Sequence, residues 1–140
     1  MNFKIEKNEQ YALVELNETA LTQDNYADLE NLVRQLFRAG YGNIIIKFDS
    51  IVELDGHGIS VIRKANKICL NELGLLIIVT KNEEIVDQLD RAKIEDLTIM
   101  PTVQEAIDAV FLNELENDFQ SEDEDEFGGG EYGESSEDDY

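Results

Sequence analysis

The amino-acid sequence predicts an α/β fold with a mixed, mainly parallel sheet, an N-terminal hairpin and four helices, in the order ββαβαβαβα. Two uninterrupted apolar runs, at residues 43–48 and 75–79, have the pattern of strands that are buried on both faces. Around them lie segments whose apolar residues are three or four positions apart, as in amphipathic helices. Because strands and helices alternate along the chain, we expect the strands to pair mainly in parallel.

The N-terminal part predicts a hairpin followed by a helix. Residues 3–6 and 11–16 alternate in part between polar and apolar side chains, and a polar turn at 7–10 separates them. This hairpin is expected to add an antiparallel edge to the sheet. The first helix is expected at residues 24–39, and Gly40 ends it.

The second half predicts three further helices and the last strand. These elements are, in order, a helix at 59–73 that begins near Gly58, a helix at 82–91, a strand at 97–100 and a helix from Pro101 to about Leu115. Asn82 is a good N-cap for the second of these helices. Thr102 and Glu105 have the spacing of a capping box at the start of the last one.

The composition divides the chain into a domain and an acidic tail. The formal net charge is −21, and 11 of the 32 acidic residues lie in residues 117–140, which contain no Lys or Arg. We expect a folded domain at residues 1–116 and a disordered tail at 117–140, since dense like charge with few apolar residues cannot offset the entropy of ordering a chain. The tail would either maintain solubility or dock onto a basic partner through its aromatic residues, Phe119, Phe127, Tyr132 and Tyr140.

Charge and hydropathy exclude several classes of function. The domain alone carries a net charge of −10, which repels phosphate backbones and anionic lipids, so neither a nucleic acid nor a membrane is expected as a partner. No apolar run approaches the roughly 20 residues that cross a bilayer, and the N-terminus has no signal-peptide pattern. We therefore expect a cytoplasmic protein. Its one cysteine, Cys69, falls in a helical pattern and is expected to be a small buried apolar residue rather than a redox group.

The most informative segment is the turn between the strand at 43–48 and the helix that follows it. This turn holds the only histidine of the chain, and its residues are Asp55, Gly56, His57, Gly58, Ile59 and Ser60. The glycines allow positive φ angles and close approach of the backbone. Asp55 or Ser60 can cap the helix, and the amides of a helix start favour anions.

The turn does not have the pattern of an enzyme site. An Asp beside a His can act in acid–base catalysis, but there is no second histidine and no nucleophile at a fitting spacing. The acidic clusters lack the order of a calcium loop or a zinc site, and no Lys follows the glycines as in a phosphate-binding loop. We expect no catalytic residue, metal or cofactor.

The segment resembles the signature of STAS domains, which are bacterial anti-sigma-factor antagonists and related sulphate-transporter modules. In that signature an Asp follows a hydrophobic strand, as Asp49 does here, and Asp-Ser-Ser-Gly-Leu-Gly or Asp-Ser-Ser-Gly-Leu-Ser then opens an amphipathic helix. The positions that match the second part are Asp55, Gly58, Ile59 and Ser60. The resemblance covers residues 3–111 and implies a STAS-like fold with the element order given above.

The resemblance also implies a switch that this chain lacks. In phosphorylated family members, the first serine after the aspartate accepts phosphate from an anti-sigma kinase, and the added charge disrupts binding of that kinase. Here that position is Gly56 and the next is His57, so the usual phosphorylation site is absent. Ser60 and Ser50 are alternative acceptors, although neither matches the position of the family's serine.

Three functions are compatible with the sequence. The first is a non-enzymatic regulator, a monomer or weak dimer, that docks an anti-sigma factor or a related kinase-like protein. The residues expected at its partner surface are Asp55, Gly56, His57, Gly58, Ile59, Ser60 and Arg63. Its binding could depend on pH through His57, because histidines change charge between about pH 5 and 8. The second function is a scaffold that recruits partners through the acidic tail, and the third is a sensor of a small molecule or nucleotide at the carboxyl ends of the strands.

Overall fold

A computed structural model gives the backbone of residues 1–130 and the side chains of residues 1–118. The strands are β1 (Phe3–Lys7), β2 (Ala12–Leu16), β3 (Ala20–Leu21), β4 (Ile44–Lys47), β5 (Glu53–Leu54), β6 (Leu76–Val79) and β7 (Thr98–Met100). The helices are α1 (Tyr26–Arg38), α2 (Gly56–Asn71), α3 (Glu83–Arg91) and α4 (Val103–Gly130). None of these helices is long and apolar enough to cross a bilayer.

The main sheet has five strands in the order β1-β2-β4-β6-β7. The hairpin strands β1 and β2 are antiparallel, and the other neighbours pair in parallel. Asn8 builds the hairpin turn, because its side-chain oxygen accepts hydrogen bonds from the amides of Gln10 and Tyr11 at 2.8 and 2.9 Å. The predicted α/β class, the N-terminal hairpin and the mainly parallel sheet are thereby confirmed.

The two faces of the sheet are covered unequally. Helices α1, α2 and α3 pack on one face, against a large core that includes Ile44, Ile46 and Ile78. Helix α4 packs on the opposite face, where Ala106 and Val110 meet a smaller cluster of strand residues. Strands β4 and β6 are thus buried on both sides, which is why their sequences are continuously apolar.

Cys69 lies in the larger core, as predicted. Its side chain is fully buried, and burial raises the pKa of the thiol to about 12. A thiol that is both buried and protonated at neutral pH is a packing residue rather than a nucleophile.

A second, two-stranded sheet was not predicted. Strands β3 and β5 pair in parallel, with Ala20 opposite Glu53 and Leu21 opposite Leu54. Each strand has only two residues, so neither produces a detectable alternation of polar and apolar side chains. This small sheet fixes the loop that leads into α2.

Helix α2 begins at Gly56, two to three residues earlier than predicted, and it ends at Asn71. The earlier start follows from Asp55, whose side chain caps the helix. The glycines of the turn do not use the positive φ angles that they allow, since Gly40 is the one glycine with a positive φ among the described residues. The other property expected of them, close approach of the backbone, is the one that the site geometry shows at Gly58.

Helix α4 continues to Gly130 instead of ending near Leu115. Residues 116–127 contain no Gly or Pro, so nothing in the local sequence forces the backbone out of a helix. The side-chain amides of Asn113 and Asn117 donate to the carbonyl oxygen of Leu73 at 3.0 and 2.8 Å, which ties the helix to the end of α2. The division into a domain at 1–116 and a tail at 117–140 stays a prediction, and residues 131–140 lie outside the described part.

Candidate partner-binding turn

Asp55 organises the turn through backbone amides. Its Oδ1 accepts hydrogen bonds from the amides of His57 and Gly58 at 2.9 and 3.1 Å, and its Oδ2 accepts one from the amide of Gln23 at 3.0 Å. One carboxylate thus caps α2 and ties it to the loop before α1.

The same contacts determine the protonation of Asp55. Loss of solvent around the carboxylate raises its pKa, but the amides of Gly58, Gln23 and His57 and the nearby imidazole outweigh this effect. The pKa of Asp55 therefore lies below its ordinary value, and the group stays ionised at neutral pH. A carboxylate held in this way builds a turn well and is a poor proton acceptor.

Gly58 allows the helix start to approach the small sheet. A Cβ atom at this position would lie 2.5 Å from the carbonyl oxygen of Leu21 and 2.7 Å from Cδ1 of Leu54. Both contacts are shorter than van der Waals packing permits. The Gly58 of the sequence signature is thus a packing requirement of this fold.

The turn is also held from α3 and from β3. The side-chain amide of Gln88 donates to the carbonyl oxygen of Leu54 at 2.9 Å, and the amide of Asp55 donates to the carbonyl oxygen of Leu21 at 3.3 Å. Helix α3, strand β3 and the loop before α1 therefore fix the position of the turn. Its outer residues are thus presented on a rigid support.

His57 is a helix-start residue with a half-exposed side chain. Its ring lies against the ring of Tyr26 on α1, with centroids 5.1 Å apart and planes tilted by 39°. Its Nδ1 is 3.5 Å from Oδ2 of Asp55. The imidazole is therefore oriented by an aromatic neighbour and a carboxylate, while one side faces solvent.

Gly56 is the open position of the turn. It is exposed, and a Cβ atom there would meet nothing within 4 Å. A Cβ atom therefore fits at this position without moving the backbone. In phosphorylated STAS domains, which this turn resembles, the same position carries the serine that accepts phosphate. Here the position is accessible but has no hydroxyl group.

The other predicted residues occupy different environments. Gly58 is buried, and Ile59 and Ser60 are half-buried, so Gly58 in particular cannot contact a partner. Arg63 is exposed, and its Nη2 donates to the carbonyl oxygen of Ala92 at 2.8 Å. Ser50 is exposed in the loop after β4, outside the turn.

The structure adds residues that sequence reasoning missed. Val52 is 66% exposed, although it lies between the buried residues Ile51 and Leu54. Tyr26 and Gln23 support the turn from another segment, and no local pattern could have identified them. No pattern identifies Val52 either, because residues 51–54 do not alternate between buried and exposed positions.

We call the outward-facing set Val52, Gly56, His57, Ser60 and Arg63 the turn surface. Gly56, Ser60 and Arg63 share one face of α2 because they are four and three residues apart. An exposed apolar residue, an aromatic-supported imidazole and a guanidinium are typical contacts of a protein partner. Among the described side chains, no group of three His, Cys, Asp or Glu residues is placed to hold a metal ion.

No family model matches this sequence, and no curated protein sequence is similar enough to match it. The structure does resemble solved structures. The anti-sigma factor antagonist SpoIIAA of Bacillus, in its unphosphorylated form, superposes with a TM-score of 0.63 at 17% identity, covering 78% of this chain and 97% of SpoIIAA.

Two further structures show the same similarity. An anti-sigma factor antagonist from Mycobacterium paratuberculosis gives a TM-score of 0.63 at 15% identity, covering 78% of this chain and 92% of that one. A chain of the stressosome, a signal integration and transduction hub, gives 0.60 at 14%, covering 76% and 95%. The chain thus has the STAS fold of the anti-sigma factor antagonists, as predicted from the turn sequence.

Proposed function

We propose that this protein is a non-enzymatic regulator that binds a protein partner, of the anti-sigma factor or kinase-like type, through the turn surface. The single observation that carries the proposal is the exposed, rigidly held start of α2, with Gly56 open to solvent at its centre. The STAS fold of the solved neighbours supports the same class of function.

The chemistry of the turn supports binding over catalysis. Both oxygens of Asp55 accept backbone hydrogen bonds, and its lowered pKa keeps it ionised. Beside His57 lie that carboxylate and the ring of Tyr26, and no hydrogen bond joins its imidazole to a hydroxyl or thiol among the described residues. The arrangement can recognise a surface but has no nucleophile and base in contact.

We further propose that binding is not regulated by phosphorylation at residue 56. SpoIIAA is known in unphosphorylated and phosphorylated forms. A phosphate at this place would add a charge of about −1.5 to −2 to a turn that already holds Asp55 and Glu53. In this chain residue 56 is a glycine, so a phosphate cannot be added at this position.

The test compares three substitutions at residue 56, all of which fit sterically. A native lysate of the source organism is passed over the immobilised full chain, and a captured kinase-like or anti-sigma protein is then purified and titrated calorimetrically. Gly56→Ala should bind as wild type does, whereas Gly56→Asp should bind at least tenfold more weakly because its charge mimics part of a phosphate. Gly56→Ser should bind as wild type does until the purified partner kinase phosphorylates it, which mass spectrometry detects.

Two charge changes test the location of the surface. Arg63→Glu reverses a charge within the turn surface, and Lys7→Glu makes the same reversal on exposed β1. Lys7 lies beside Ala12, where β2 and β4 begin, whereas the turn follows the other end of β4. The proposal requires that Arg63→Glu weakens partner binding and that Lys7→Glu does not. Equal effects would show that general electrostatics, rather than this turn, determines the affinity.

A scaffold role is the second candidate, and the uniform negative charge of the tail favours it. Residues 118–140 carry 11 acidic residues and no Lys or Arg. Deleting them keeps Asn117 and its contact with Leu73. A regulator that acts through the turn keeps its partner after this deletion, whereas a scaffold that recruits through the tail loses it.

A further inference from the structure

The outer side of α4 carries a cluster of exposed apolar residues. Phe111 is 46% exposed, Leu112 is 58% exposed and Leu115 is 53% exposed. They adjoin one another because residues three and four apart are neighbours on a helix surface. Ala106 and Val110 satisfy the packing of α4 on the sheet, so these three side chains contribute nothing to the core.

A fourth exposed apolar side chain lies at the end of α2, where α4 is attached. Leu73 is 68% exposed, and its φ angle of 63° places it in the left-handed region. The amide of Gly74 donates to the carbonyl oxygen of Cys69 at 2.8 Å, so Leu73 occupies the helix-end position where glycine is common. A leucine here is unfavourable for the fold and remains mostly exposed. Its carbonyl contacts Asn113 and Asn117, which lie on the other side of α4 from Leu115, so Leu73 is a control position outside the cluster.

The charged residues of α4 around this cluster are all acidic. Lys93 is the last basic residue of the chain, so α4 contains no Lys or Arg at all. The acidic residues of its described side chains are Glu105, Asp108, Glu114, Glu116 and Asp118. Helices of soluble proteins usually carry both acidic and basic residues, and α4 has no basic ones.

We propose that the α4 surface, formed by Phe111, Leu112 and Leu115 with the acidic residues of the same helix, docks a basic amphipathic helix of a partner protein. The apolar side of such a helix covers the leucines, and its Lys or Arg residues pair with the carboxylates around them. A second copy of this chain fits badly, because it would place two uniformly acidic helices side by side.

This surface is separate from the turn surface. Gly56 is the first residue of α2, which packs on one face of the sheet. Helix α4 packs on the other face of the sheet from α2. The chain can therefore bind one partner at the turn and a second at α4.

The experiment measures the binding of two labelled peptides to the full chain by fluorescence anisotropy. The first peptide has about 14 residues, or four helical turns, with leucines at helical spacing on one side and lysines on the other. The second has the same composition in a permuted order without an apolar side. Both carry the same charge, so a difference between them reports the apolar contact. The proposal expects the amphipathic peptide to bind at least tenfold more tightly.

Substitutions in the protein locate the site. Leu112→Ser and Leu115→Ser leave the charge of the protein unchanged. Each should weaken binding of the amphipathic peptide about tenfold. Val52→Ser is the matched control, since Val52 is as exposed as these leucines but belongs to the turn surface. It should leave peptide binding unchanged.

Leu73→Gly separates binding from folding. Glycine suits the left-handed position, so the midpoint of urea unfolding should stay the same or rise, while peptide binding should stay unchanged because Leu73 lies outside the cluster on α4. Equal binding of both peptides, or unchanged binding by the Leu112→Ser and Leu115→Ser variants, would overturn the proposal. Concentration-dependent dimers that disappear in those two variants would overturn it as well, because the occupant would then be a second copy.

Discussion

The packing around Gly58 leads to a prediction with an internal control. Replacing Gly58 by Ala places a Cβ atom 2.5 Å from the carbonyl oxygen of Leu21, where ordinary contacts are 3.4–4 Å. That oxygen belongs to backbone paired with β5, so it cannot move without disturbing the small sheet. The same substitution at Gly56 meets nothing within 4 Å.

The two substitutions should change the free energy of unfolding in opposite directions. Overpacking costs about 1–3 kcal/mol, and a clash with a backbone oxygen belongs to the upper part of that range, about 2–3 kcal/mol. Ala is favoured over Gly within a helix by about 0.8–1 kcal/mol, so Gly58→Ala should lower the free energy of unfolding by about 1–2 kcal/mol. Gly56→Ala has the second effect without the first and should raise it by about 0.4–1 kcal/mol.

Urea unfolding followed by circular dichroism measures both variants, since the chain has no tryptophan. With a slope of about 1–3 kcal/mol per M, the two midpoints should differ by roughly 0.5–3 M, on opposite sides of wild type. If Gly58→Ala is as stable as Gly56→Ala, the helix start does not approach β3 as described. The rigid support inferred for the turn surface would then lack its physical basis.

Three other predictions concern buried or capping groups. Asp55→Ala should destabilise the protein above pH 4 but hardly below the folded-state pKa of Asp55, because a lowered pKa contributes stability that is lost as pH falls through it; urea midpoints across pH test this. The wild type should lose stability as pH rises above about 9, where Cys69 ionises only in the unfolded chain, and Cys69→Ala should reduce that loss in the same assay. Asn43→Ala should cost about 2–4 kcal/mol, since the side chain bridges the Leu75 amide and the Gln10 carbonyl at 2.9 Å each, and an unchanged urea midpoint would contradict this.

The fold was predictable because its signals are long and periodic. The isoleucines of β4 identify a strand that is buried on both faces, and the spacing of Leu29, Leu32 and Leu36 identifies an amphipathic helix. The end of α4 was not predictable in this way. Dense negative charge favours disorder, while the absence of Gly and Pro permits a helix, and local sequence does not determine which effect dominates.

The candidate site was predictable in position but not in detail. The turn sequence located the start of α2, yet Tyr26 and Gln23 reach it from another part of the chain. Of the two properties expected of the glycines, close approach of the backbone holds for Gly58, which lies against Leu21, whereas its φ angle is not positive. Contacts between distant segments carry no signature in a single sequence.

The residues that match the STAS signature are also the ones that build the turn. Asp55 caps α2, and Gly58 allows it to pack on the small sheet. The residues that depart from the signature, Gly56 and His57, are exposed and constrain the fold little. A resemblance carried by structural positions predicts the fold well, but it says little about regulation, which depends on the exposed positions. The partner and its control must therefore be sought through variants of Gly56, His57 and their exposed neighbours, since changes at Asp55 or Gly58 would alter the support and the surface together.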